Sequence, residues 1–176
     1  RFDFYVQPFS AAAVEASPYA NNYSRPIVLL NGNFPIANPR FSTPEKELRT
    51  LVEYFKYDRT FAEQLQRSQH QIMLGLTDLA NRLAARFPAA TFIYRPHPFE
   101  KLETYDTLLN RAPNLHLVKI GTVDGWIARA CAVIQRSCST AIESGLMGVP
   151  ALSPEWTAAP RAWRSPLGRK GSCLRR

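Results

Sequence analysis

No apolar run in the 176-residue sequence approaches the roughly 18–20 residues that a helix needs to cross a bilayer. Cysteine is sparse: Cys131, Cys138 and Cys173 are the only three, with no Cys-x-x-Cys pair or other metal-ligand spacing. An odd, low count argues against a disulfide framework and suits free thiols in a reducing compartment, so the cytoplasm is the expected location. Gly-x-Gly-x-x-Gly, the P-loop and Gly-x-Ser-x-Gly are all lacking, which removes the standard dinucleotide, P-loop and serine-hydrolase readings. No metal is expected. The N-terminus lacks the charged-then-apolar profile of a signal peptide. It opens on Arg1, not Met, so the chain is expected to begin inside a longer reading frame.

Acidic residues are absent from one stretch in particular. Residues 157–176 hold Arg161, Arg164, Arg169, Lys170, Arg175 and Arg176 and no Asp or Glu, whereas the remainder carries 16 basic and 14 acidic side chains. The net charge of +8 is therefore mostly a property of this tail, expected to be disordered or non-native. A nucleic-acid-binding face would place its basic residues on the folded domain, so no nucleic-acid partner is expected.

What is present reads as one α/β domain over residues 26–156, preceded by a connecting segment, 1–25. Ile27-Val28-Leu29-Leu30 is a continuous apolar run, as expected of a strand buried on both faces of a parallel sheet. Thr43-Pro44 with Glu45 and Glu47 marks a helix start. Leu48, Leu51, Val52 and Phe55, then Ile72, Leu76, Leu79, Leu83 and Phe87, recur at helical spacing. Thr91–Arg95, Leu115–Lys119, Cys131–Gln135 and Val149–Leu152 read as further strands, with short helices near 101–110, 124–130 and 140–147. The alternation predicts a doubly wound, Rossmann-like parallel sheet, in which ligands bind beyond the carboxyl ends of the strands.

Three strand ends carry candidate chemistry. In Arg95-Pro96-His97-Pro98, two prolines pin the backbone around one imidazole, which could donate to a phosphate oxygen and become more cationic beside an anion. The same residues could equally make a surface turn. Arg136-Ser137-Cys138-Ser139-Thr140 offers hydroxyls and backbone N–H groups at a helix start. There Thr140 and Glu143 stand at capping-box spacing, and Glu143 could alternatively face ribose hydroxyls. In Asn31-Gly32-Asn33, Gly32 permits close backbone approach and the asparagines supply amides. His70 reads as solvated, His116 as a packing residue, and Asp124-Gly125-Trp126 as a cap followed by an anchoring aromatic.

Three segments, Ile27–Phe41, Tyr94–Glu100 and Gly121–Pro150, resemble in order the bacterial surface carbohydrate biosynthesis proteins. The C-terminal halves of those proteins are similar to the donor domain of GT-B glycosyltransferases. His-Pro with a later Ser-Ser/Thr is similar to the donor site of bacterial sialyl- and Kdo-type transferases that use CMP-activated sugars. Teichoic-acid glycerophosphotransferases look alike in the same two places. The resemblance implies that His97 contacts the nucleotide phosphate, with Ser139 and Thr140 as hydroxyl partners and Arg95 either adding charge or pairing internally. It further implies a carbohydrate or lipid-linked acceptor, bound through an N-terminal domain that also supplies the acidic base, and peripheral association of the full-length protein with the inner face of the membrane. The Asp/Glu-Asp/Glu-Gly motif of some sialyltransferases is incomplete, since Val123-Asp124-Gly125 has one acid, and no catalytic base is assigned. Two other classes compete. Glu143…Gly148-Val149-Pro150 is similar to a UDP-N-acetylglucosamine-type epimerase, and the basic tail alone would fit a polyanion-binding module.

Overall fold

The computed structural model describes residues 21–136 and 138–154; Ser137, most of the expected connecting segment and the basic tail lie outside the described residues. Five strands form one parallel sheet: β1 (Ile27–Asn31), β2 (Thr91–Arg95), β3 (Leu115–Leu117), β4 (Ala130–Gln135) and β5 (Ala151–Leu152). Their order across the sheet is β3-β2-β1-β4-β5. The chain builds outward from β1 through β2 to β3, then crosses back to lay β4 on the other side of β1. The fold is α/β and Rossmann-like, with its topological switch point between β1 and β4.

Two-sided burial explains the apolar runs. Leu30, Phe92, Tyr94 and Ile134 point into one core, while Ile27, Leu29, Ile93 and Val133 point into another on the opposite face. Successive strand residues alternate between faces, so a strand covered on both sides must be apolar throughout. The first core is closed by the long helix α2 (Arg59–Arg86), through Ile72, Met73, Leu76 and Ala80, and by Tyr105 of α3 (Glu103–Leu108). The second is closed by Trp126 and Ile127 of α4 (Val123–Ile127). Tyr23, within the segment expected to be a connector, packs on this face, its ring 4.9 Å from that of His116 and 5.5 Å from that of Trp126.

Helix starts follow local chemistry. Pro44 opens α1 (Pro44–Glu53) behind Thr43, whose hydroxyl accepts the Lys46 N–H, and Asp58 caps α2 by accepting the Phe61 N–H at 3.0 Å. The last helix, α5 (Thr140–Leu146), ends before Gly148, whose φ of 69° suits a residue without a side chain. Strands β3 and β5 are shorter than the sequence suggests. After Leu117 the chain adds one more bond to the sheet, Val118 N–H to Tyr94 O, and then departs.

Candidate functional site

The carboxyl ends of β1, β2 and β4 border one cleft of about 420 Å³. Its walls are Asn31-Gly32 at the end of β1, Arg95–Pro98 at the end of β2, Gly121–Val123 before and in α4, and Cys138–Thr140 with Glu143 from the start of α5. The cleft therefore opens where β1 and β4 send their following segments apart, the place where doubly wound sheets receive ligands. Of the residues singled out from sequence, Gly32, Arg95, His97, Ser139, Thr140 and Glu143 are brought together here. Ser137 lies outside the described residues. Asn33 does not line the cleft: its neighbour Phe34 is drawn into the core, and Asn31 supplies the wall instead.

His97 is set by its own turn. The Phe99 N–H donates to Nδ1 at 3.2 Å, which leaves Nε2 as the protonated, hydrogen-bond-donating nitrogen. Burial, and then the neighbouring Lys119 charge, push its pKa below the ordinary histidine value. The imidazole is thus a neutral N–H donor near pH 7, not the cation that an adjacent anion alone would favour.

Arg95 is committed internally. Nη1 donates to the Ile120 carbonyl at 2.7 Å and Nη2 to that of Gly121. Its guanidinium therefore braces the loop between β3 and α4, a wall of the cleft. Trp126 strengthens this by donating Nε1–H to the same Ile120 carbonyl at 3.0 Å.

Across the cleft, the expected capping box between Thr140 and Glu143 does not form. Thr140 is buried, and its hydroxyl accepts from Asn31 Nδ2 at 3.4 Å, a bond that ties the end of β1 to the start of α5. Ser139 occupies the cap position and its hydroxyl reaches Glu143 Oε1 at 3.3 Å. Glu143 Oε2 is shielded and has no hydrogen-bond partner among the described residues. Burial raises the pKa of this carboxyl, against the pull of Ser139, and the Asp124 charge adds to the rise. Cys138 is buried, its N–H donating to Gln135 Oε1 at 2.9 Å.

A Cβ at Gly32 would meet Glu100 Oε1 at 3.4 Å and the Pro96 backbone at 3.5 Å, ordinary contact distances, so packing there does not require a glycine. Glu100 and Gly121–Val123 were not singled out as functional residues from sequence, whereas Asn31 was, for the amide it supplies. A Gly-Thr after the third strand was the available signal for Gly121–Val123.

Among the described residues no group of three or more His, Cys, Asp and Glu side chains could hold a metal ion. No protein-family model matches the chain, and no curated protein matches it either.

Proposed function

We propose that this domain binds the nucleotide-sugar donor of a glycosyltransferase that builds bacterial surface polysaccharide. The phosphate lies between the His97 imidazole and the Ser139 and Thr140 hydroxyls. The observation that carries the reading is the convergence of these residues, from the ends of β2 and β4, on one cleft at the switch point. A neutral Nε2–H on one side and, on the other, a serine hydroxyl that rotates from Glu143 to the ligand would give a phosphate two donors from opposite walls. Glu143 lines the cleft, and a side-chain rotation that brings out its shielded Oε2 would let it accept from sugar hydroxyls such as those of a ribose. Such a set binds and neutralises a leaving phosphate, and the base that activates an acceptor hydroxyl would come from a partner domain. CMP-linked donors are the first choice, on the likeness of the His-Pro and Ser-Thr segments to enzymes that use them.

Thermal shift with CMP, CDP and UDP tests the reading, on the full-length protein including any partner domain. At least one nucleotide should raise the melting temperature. His97→Ala should weaken its binding roughly tenfold, the scale of one lost hydrogen bond to a charged group, while leaving the ligand-free melting temperature within a few degrees. No stabilisation by any nucleotide, or equal affinity in the variant, overturns it.

A further inference from the structure

Glu100 is fully buried, an uncommon position for a carboxylate, and the cleft does not expose it. It sits beneath the turn that carries His97. Its Oε1 accepts the His97 backbone N–H at 2.7 Å, and Oε2 accepts the Tyr105 hydroxyl. The Phe34 backbone N–H favours the same carboxylate from the loop after β1. The backbone of Glu100 is bound as well: its N–H donates to His97 O at 2.9 Å, and its carbonyl receives Lys119 Nζ at 2.8 Å from the end of β3. One residue thereby ties together the segments after β1, β2 and β3 and the helix α3.

We propose that Glu100 is the positioning residue of the cleft, holding the Pro96–Glu100 turn so that His97 keeps Nδ1 on the Phe99 N–H and presents Nε2–H to a ligand. For the ligand, the proposal rests on the nucleotide reading; for the imidazole, it stands alone. Such an arrangement explains why a carboxyl is kept where burial raises its pKa: the cost of desolvation is offset by donors from three segments whose relative placement the cleft requires. An apolar residue would fill the space and leave the His97 N–H without its acceptor.

The test is ¹⁵N and ¹H NMR of the His97 ring in the full chain, combined with CMP titration, for Glu100→Gln, Glu100→Ala and Tyr105→Phe. The glutamine oxygen can still accept the His97 N–H and its amide can donate to the Tyr105 oxygen. Glu100→Gln should therefore keep the Nε2–H tautomer and bind CMP within about threefold of wild type. Glu100→Ala should show a mixture of tautomers and bind about tenfold more weakly. Tyr105→Phe, which removes a single donor, should fall between them. Should Glu100→Ala fail to fold, the Glu100→Gln and Tyr105→Phe pair decides. A wild-type tautomer in Glu100→Ala, or in both Tyr105→Phe and a Glu100→Gln variant that has lost its affinity, overturns the proposal. If CMP binds none of the proteins, the nucleotide reading fails while the ring signals still decide the role of Glu100.

Discussion

The imidazole of His97 faces two opposing influences. A bound phosphate would favour the imidazolium, whereas burial, Lys119 and the Phe99 N–H on Nδ1 all favour the neutral ring. Protonating Nδ1 would also break the bond that shapes the turn, so the proposed binding is expected to use the neutral ring and take up no proton. Because the folded-state pKa is lowered, the ring is already neutral throughout the range above its ordinary value. The affinity ratio of wild type to His97→Gln for CMP should therefore stay constant between about pH 6.5 and 8.5. The ratio cancels the ligand's own phosphate ionisation, which falls near pH 6 and would otherwise dominate the profile. Isothermal titration across this range checks it, and a ratio that climbs several-fold toward the acid end would mean that His97 binds as a cation.

At the scale of elements, the cleft is a set of strand-end loops held by side chains from their neighbours. Arg95 and Trp126 hold the loop before α4, Asn31 holds the start of α5, and Glu100 holds the turn after β2. Arg95→Met should leave the Ile120 and Gly121 carbonyls without their charged donor, speed hydrogen exchange at Gly121 and Thr122, and weaken CMP binding several-fold. If affinity collapsed with exchange unchanged, Arg95 would be gripping the ligand directly. The strands themselves were legible in the sequence, because two-sided burial forces continuous apolar runs at 27–30, 92–94 and 132–134. The turn at Pro96–Pro98 and the hydroxyls at 139–140 were legible too, since proline and serine punctuate strand ends. The Asn31–Thr140 bond was not: it joins residues 109 positions apart, and local spacing suggested a Thr140–Glu143 capping box instead. Glu100 was hidden for the same reason, since its partners come from separate segments that only the folded sheet brings together.

For the whole molecule, strand order decides where chemistry can occur. With β1 central and the chain turning from β2 on one side to β4 on the other, the loops after β1 and β4 diverge and leave an opening that the sheet cannot fill. No helix among the described residues is long and apolar enough to cross a membrane. The positive charge is concentrated in residues 157–176, which lie outside the described residues. The most direct measurement is a backbone amide NMR titration of the ¹⁵N-labelled chain with CMP. Binding at the switch point predicts saturable shifts concentrated at Gly32, His97, Gly121, Thr140 and Glu143, all walls of the same cleft, with little change along α2. Shifts centred elsewhere on the domain, or none at millimolar nucleotide, would contradict it.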